Sequence, residues 1–341
     1  MPYAATRTLA ASTRAGAYIR KKGYIVGHVA SLSQLQTPPW ALVNGELVPY
    51  EDVRIHISAE ALTRGLSIFE GLKGYWQHSG NSFAIRAPRE HYNRLCRSAA
   101  LLHVPIDFSY QQFLEGLHTL AGQLLVPDRD LWFRATLYVT HGHWGEGTAA
   151  DLIVTAFTQQ KHNPESMRLG VSTWRKAVDV ALPARIKCSA NYVGGRLARI
   201  EVGRLGYDDA IMLNDSGRVA EATAACVLIA TKGRIATPPA HEGCLDSITI
   251  DALEHVAAEQ GVPFERRPID RSELLAADEC GLAGTITELT LVEEVDGFHY
   301  DQSGLLAELR RRYLQIMRGE TEMPGIEMVP LVHERALTAT S

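Results

Sequence analysis

Asp209-Ala-Ile-Met-Leu-Asn-Asp-Ser-Gly-Arg-Val-Ala-Glu221 reads as two short strands folded back at Asn214-Asp-Ser-Gly217, because apolar runs flank a cluster of turn-forming residues. A second hairpin follows, turning at Lys232-Gly233. Around this pair the text alternates between the two periods. A strand over Leu169 to Trp174 and a helix over Asn191 to Leu205 precede it. A helix over Ile248 to Gln260, a strand near Pro263 to Pro268, a short helix over Arg271 to Ala276 and a strand over Thr285 to Val292 follow. Hairpins mixed with separate helices predict an α+β fold with antiparallel-rich sheets, since a doubly wound sheet needs strict βαβα alternation.

The first half has its own strand language. Trp40 to Pro49 places Asn44-Gly45 between apolar flanks, a two-residue hairpin signal. Glu60 to Tyr75 reads as a helix followed by a strand, and Phe83 to Arg86 is extended. Tyr92, Leu95, Ala99 and Leu102 recur every three or four residues, which predicts an amphipathic helix over Arg89 to Leu102 with Arg94 beside its apolar stripe. From Leu131 to Thr140 the pattern alternates: Leu131, Phe133, Ala135, Leu137 and Val139 share one face, Trp132, Arg134, Thr136, Tyr138 and Thr140 the other. A strand over Asp151 to Thr158 leads into a polar stretch that suits a linker. The expected organisation is an extension over 1–39, a small α/β domain over 40–157, a linker over 158–165 and a larger domain over 166–341. The extension contains Arg7, Arg14, Arg20, Lys21 and Lys22 and no acid before Glu46. An organelle-targeting segment has that composition, but apolar residues between Tyr18 and Val29 favour an extension that packs on the body or is disordered.

Composition bounds the function. The 341 residues, 46% apolar and 21% charged, suit a soluble globular protein of about two domains. With 34 Lys+Arg against 39 Asp+Glu the net charge is -5, which gives no footprint for nucleic acid or an anionic membrane. Charged residues interrupt every hydrophobic run, so no spanning helix is expected. Five cysteines (Cys96, Cys188, Cys226, Cys244, Cys280) without CxxC spacing suit a reducing cytoplasm. Nucleotide-binding, zincin and α/β-hydrolase motifs are missing. His141-Gly-His143 has no nearby third ligand and reads as a loop, so no metal site is expected.

What remains is an ordered series: Ile186-Lys187-Cys-Ser-Ala-Asn-Tyr192, Gly206-Tyr-Asp-Asp-Ala-Ile-Met-Leu-Asn214, Val219-Ala-Glu221, Cys244-Leu-Asp-Ser-Ile-Thr249 and Gly284-Thr-Ile-Thr-Glu288. With Asn44-Gly-Glu46, Ser67-Ile-Phe-Glu-Gly-Leu-Lys73 and Arg89-Glu-His-Tyr-Asn-Arg-Leu95, it resembles the fold-type IV pyridoxal-phosphate enzymes, the class-IV aminotransferases, and within them the branched-chain amino-acid aminotransferases. The resemblance spans about Trp40 to Val292. It implies a two-domain fold, with the larger domain built on antiparallel-rich, pseudo-barrel sheets. It also implies pyridoxal 5'-phosphate as cofactor, and transfer of an amino group between an amino acid and a 2-oxo acid, with glutamate and 2-oxoglutarate as the common pair.

The residues carry roles through that resemblance. Lys187, set among Ile186 and the small Cys188, Ser189 and Ala190, matches the lysine that holds the cofactor covalently and shuttles the Cα proton. Such a lysine needs a partly desolvated seat that favours its neutral amine. Tyr192 matches the tyrosine that bonds the cofactor's phenolic oxygen, and Glu221 the carboxylate that keeps the pyridine nitrogen protonated. Arg94, the backbone at Ile248 and Thr249 opening a helix, and Thr285 match the phosphate site. For the substrate, Arg134 matches a carboxylate-recognising arginine, Ile286 and Thr287 offer backbone N–H groups to the α-carboxylate, and Phe69, Gly71 and Lys73 match the pocket wall. The family's active sites borrow a loop from a neighbouring subunit, which implies a homodimer.

The sequence also departs from the branched-chain pattern. Arg64, read as a substrate-pocket residue, stands where an aromatic is usual, and Trp132 where a tyrosine is usual. Ala222 and Cys226 replace Gly and Asn, and Ile250 replaces Arg. These changes suggest a substrate other than plain valine, leucine or isoleucine. A transaminase for (R)-amines or D-amino acids, a lyase for an aminated chorismate-like acid, and a cofactor-holding protein without catalysis remain as alternatives.

Overall fold

The computed structural model describes residues 37–159 and 165–331; residues 1–36 of the expected extension, 160–164 of the expected linker and 332–341 lie outside the described residues. The strands are β1 (Trp40–Val43), β2 (Glu46–Pro49), β3 (Ser67–Gln77), β4 (Ser82–Arg86), β5 (Asp130–His143), β6 (Glu146–Gln159), β7 (Ser166–Arg175), β8 (Asp209–Leu213), β9 (Val219–Ala222), β10 (Cys226–Thr231), β11 (Arg234–Thr237), β12 (Phe264–Arg266), β13 (Glu279–Gly284), β14 (Glu288–Val295), β15 (Phe298–His299) and β16 (Met328–Pro330). The helices are α1 (Glu60–Thr63), α2 (Pro88–Leu101), α3 (Tyr110–Leu124), α4 (Tyr192–Gly203), α5 (Ile248–Glu259), α6 (Arg271–Ala276) and α7 (Leu305–Met317).

Two sheets organise the chain. The first runs β16-β4-β3-β5-β6-β1-β2, and the second runs β12-β11-β10-β13-β14-β7-β8-β9 with β15 on β14. Every pairing in the first sheet is antiparallel, as its hairpins require. Asn44 and Gly45 both take positive φ (50° and 88°), the geometry for which a two-residue turn selects Asn-Gly. In the second sheet, antiparallel hairpins combine with parallel pairings of β7 to β8 and β14 and of β11 to β12. The alternation in β5 places Leu131, Phe133, Ala135, Leu137 and Val139 in a core shared with Leu95 of α2 and Leu117 of α3. A second core packs α5 and α7, through Leu253, Val256, Leu309 and Tyr313, on Leu228 and Leu291 of the second sheet.

The structure differs from the sequence expectation in several places. His141-Gly-His143, read as a loop, ends strand β5 and pairs with β6. The strand expected from Thr285 begins at Glu288, because Glu288 itself has φ of 56° and the chain turns through 285–287 after β13. Helices α3 and α7 and strand β13 add elements to those read from the pattern. The last strand, β16, pairs with β4 in the first sheet, so the end of the chain returns from the second block to the first.

The two sheets meet along β3. Ile68 bridges to Cys188, and the Phe69 N–H donates to the Lys187 carbonyl at 3.0 Å. Gly74 on the same strand is needed for a different reason: a Cβ there would lie 2.0 Å from Cζ of Phe83, a ring 2% exposed with no room to swing. Gly74→Ala is therefore expected to cost about 1–3 kcal/mol by overpacking, read as a lower urea midpoint with an unchanged slope.

Candidate active site

The segment carrying Lys187 is pinned from both sides. Its carbonyl is held by β3, and its N–H donates to Ser98 Oγ of α2 at 3.1 Å. The side-chain amine then reaches Tyr192 Oη at 2.7 Å and lies 4.8 Å from the Phe69 ring centroid. Burial disfavours its charged form and the nearby Arg94 guanidinium adds repulsion, so Lys187 falls from the ordinary 10.5 to about 8. Burial, reinforced by Glu221, moves the Tyr192 phenol the other way, well above its ordinary value.

Glu221 on β9 is held at both oxygens. Oε2 accepts the Leu245 N–H at 3.0 Å, and Oε1 accepts Lys176 Nζ at 2.6 Å. Burial opposes the Lys176 charge, yet Glu221 outweighs it and Lys176 moves above its ordinary value. Arg94 on α2 forms a two-pronged pair with Glu70 of β3, at 2.8 and 2.7 Å, and its remaining arm donates to the Asp246 carbonyl at 2.7 Å. His91 Nδ1 lies 2.7 Å from Glu70 Oε2. Burial pushes His91 down to about 4, so it is neutral near pH 7 and its Nδ1–H donates to Glu70. Burial alone would raise Glu70, but Arg94 and His91 together hold it at about 2. Asp246 precedes α5, whose first residues Ile248 and Thr249 are buried and whose N-cap Ser247 accepts the Ile250 N–H.

Lys187 is thus electrostatically coupled to Arg94, Glu70, Glu221 and Arg134. Arg134 lies with its guanidinium 3.9 Å from the Phe69 centroid, and Gly71 is its register partner across β3 and β5. Thr285, Ile286 and Thr287 form the β13–β14 turn, entered from Gly284, which lies beside Ala224 and Ala225 at the β9–β10 connection. A family model described as "Amino-transferase class IV" matches residues 67–295. The chain belongs to this family of class-IV aminotransferases. It is 28% identical to the branched-chain-amino-acid aminotransferase of Escherichia coli (strain K12) over 82% of its own length and 93% of that protein's. Among solved structures, it is similar to the branched-chain aminotransferase of Thermoproteus uzoniensis with norvaline (27% identity, TM-score 0.81, covering 86% of this chain and 99% of that one). The branched-chain amino acid aminotransferase of Thermobaculum terrenum in its PLP form gives 27% identity and a TM-score of 0.79, covering 87% and 99%.

Within this class-IV aminotransferase, two residues expected in the pocket lie elsewhere. Lys73 is fully buried at the seam between the sheets. It donates to Glu288 Oε1 at 2.7 Å and sits 3.4 Å from Asp130, which Arg318 grips at 2.6 and 2.9 Å. A buried ammonium needs its counter-charges, and these draw Lys73 away from the Lys187 group. Arg64 is exposed, pairing with Glu60 at 3.3 Å and lying 4.4 Å over the Trp144 ring at the tip of the β5–β6 hairpin. Of the other departures, Ala222 and Ile250 are core residues, while Cys226 stays within the electrostatic reach of Glu221, Arg94 and Lys187, its thiol pushed to about 12 chiefly by burial. Sequence reasoning missed Glu70, His91 and Lys176. The first two carried a signal: Glu70 shares strand parity with the buried Ile68 and Leu72, and His91 lies one turn before Arg94. Glu70→Gln removes the charge that compensates buried Arg94. It is expected to cost on the order of 3–5 kcal/mol, seen as a loss of thermal stability in cofactor-free and cofactor-loaded protein alike.

Proposed function

We propose that this protein transfers an amino group between an amino acid and a 2-oxo acid on pyridoxal 5'-phosphate, with glutamate and 2-oxoglutarate as the common pair. The observation that carries the reading is the donor set around Lys187: a half-buried lysine of lowered basicity, hydrogen-bonded to a phenol and flanked by a held carboxylate and a buried guanidinium. These groups fit the cofactor part by part. Lys187 suits its aldehyde, Tyr192 its phenolic oxygen and Glu221 its ring nitrogen. Arg94, the α5 N-terminus at Ile248 and Thr249, and Thr285 suit its phosphate. When bound, the cofactor supplies an electron sink for charge developing at the substrate Cα. Lys187, as a neutral amine, would move the substrate Cα proton, work of the kind worth about 10²–10⁴ in rate. Phe69 and Gly71 line the substrate side, and the N–H groups of Ile286 and Thr287 receive the α-carboxylate. Arg134 recognises a carboxylate.

The same reading includes a homodimer in the cytoplasm. Val193, Leu197 and Ile200 form an exposed apolar stripe on α4 that begins next to Tyr192, and Trp144 is exposed at the β5–β6 tip. Such surfaces seek a partner. All five cysteines are free thiols, as a reducing compartment keeps them. No helix among the described residues is long and apolar enough to cross a membrane.

Borohydride treatment of protein prepared with pyridoxal phosphate, followed by peptide mass mapping, is expected to find a reduced adduct on Lys187; an unmodified Lys187 peptide would overturn the reading. Lys187→Ala is expected to abolish amino transfer while cofactor still binds. A separate check needs no cofactor. Only the neutral amine reacts with an acylating reagent, so labelling of Lys187 is expected to rise with pH about a midpoint near 8, where an ordinary lysine would need 10.5.

A further inference from the structure

Glu288 holds a backbone conformation that its own Cβ disfavours. It opens β14 at φ of 56°, in the left-handed region that glycine or asparagine usually fills. Its register partner is Gly284, so Thr285, Ile286 and Thr287 form a three-residue turn that closes on it. Glycine at this position would meet the backbone demand without the steric penalty. What glycine lacks is a carboxylate. Oε1 of Glu288 accepts Lys73 Nζ at 2.7 Å, and the two residues are 3% and 0% exposed.

The far end of that contact is fixed. Lys73 lies within β3, in register with Trp132 of β5, and Asp130 stands 3.4 Å from its amine. Asp130 in turn accepts both arms of Arg318, at 2.6 and 2.9 Å, and the Trp76 N–H at 3.1 Å. A second tether holds the turn from its own strand, where Thr290 Oγ1 donates to the Thr287 carbonyl at 2.9 Å. Strained backbone persists where its surroundings over-determine it, and such places gather at functional sites. Strand β3 also holds the other half of the site: Phe69, four residues before Lys73, donates its N–H to the Lys187 carbonyl. Four residues of strand span about 13 Å, so one extended element sets both the Lys187 segment and the turn at 285–287.

We infer that Lys73 and Glu288 are positioning residues: their ion pair fixes the Ile286 and Thr287 N–H groups relative to Lys187, so that the α-carboxylate and the reacting Cα of a substrate are met together. This rests on the proposed transaminase reading, in which those N–H groups receive the α-carboxylate. Both side chains are buried and act through the backbone of the turn. An amino acid and a 2-oxo acid present the same carboxylate to the same donors, so loosening the turn weakens both substrates together. A pair that only joined the two sheets would change stability and leave the two KM values as they are.

Glu288→Gly separates the side-chain anchor from the backbone angle. Glycine suits φ of 56°, and Lys73 keeps Asp130 as a counter-charge, so the hairpin is expected to form. For the holoenzyme, KM for L-glutamate and KM for 2-oxopentanoate are expected to rise together by about tenfold, the scale of a weakened hydrogen bond to a charged group, while kcat falls by less than about threefold. Two KM values unchanged within about twofold, or a loss confined to kcat, would overturn the inference.

A second measurement needs neither a variant nor the cofactor. Amide ¹⁵N relaxation of the cofactor-free wild-type protein is expected to give order parameters of about 0.85 at Ile286 and Thr287, as for rigid backbone; the values of a flexible loop, below about 0.6, defeat the proposal. The readings fail separately. If the wild-type holoenzyme transfers nitrogen from no amino acid to any 2-oxo acid, the transaminase reading falls. If it does transfer nitrogen and both KM values stay put in Glu288→Gly, only the role of Lys73 and Glu288 falls.

Discussion

The ion pair between Glu70 and Arg94 is the constraint from which the site is built. Taking both groups out of water is unfavourable unless each finds the other in good geometry and the remaining donors are used. The two-pronged pairing, the neutral His91 at the second carboxylate oxygen and the Asp246 carbonyl on the last guanidinium arm meet that demand. In doing so they tie β3, α2 and the approach to α5 to one another. Burial is the larger influence that weakens the hold of Lys187 on a proton, and the same cation adds to it. A structural solution to a buried charge thereby reinforces the chemistry of the neighbouring amine.

Three lysines of this chain illustrate how partners decide function. Lys73 has carboxylates at 2.7 and 3.4 Å and acts as a clamp between sheets. Lys176 has one at 2.6 Å and stays charged beside Glu221. Among the described residues, Lys187 has only the hydroxyl of Tyr192 within hydrogen-bond distance, and burial works against its charge with no carboxylate at contact range to oppose it. At neutral pH Lys176 is a poor nucleophile for an aldehyde, since a protonated amine has no free lone pair. Selection of one lysine among three is a matter of where the fold places its acids.

Local elements of this fold were legible in the sequence wherever a short stretch carries its own instruction. Asn44-Gly45 and Lys232-Gly233 adopt the positive φ values their hairpins need, and the apolar parity of β5 from Leu131 to Val139 is that of the core it enters. The Lys187, Tyr192 and Glu221 series could be read in order because its spacing is preserved along the chain. What escaped was long-range pairing. Lys73 and Glu288 are 215 positions apart, and nothing around Lys73 announces that its partner waits at the mouth of the β13–β14 turn. Lys176 follows a strand end without a pattern, and its meaning appears only when β9 brings Glu221 beside it. Likewise the return of β16 to β4 depends on the path of the whole second block.

The alternation of β5 separates two tasks along one strand. Leu131, Phe133 and Ala135 belong to the core of the first sheet, where a change of volume would disturb α2 and α3. Trp132 and Arg134 point the other way, over Gly71 and Phe69. Trp132 stacks on Phe157 and Arg134 rests on Phe69, so an exchange of either side chain acts on that face of the sheet and leaves the packing of α2 and α3 on the other face in place.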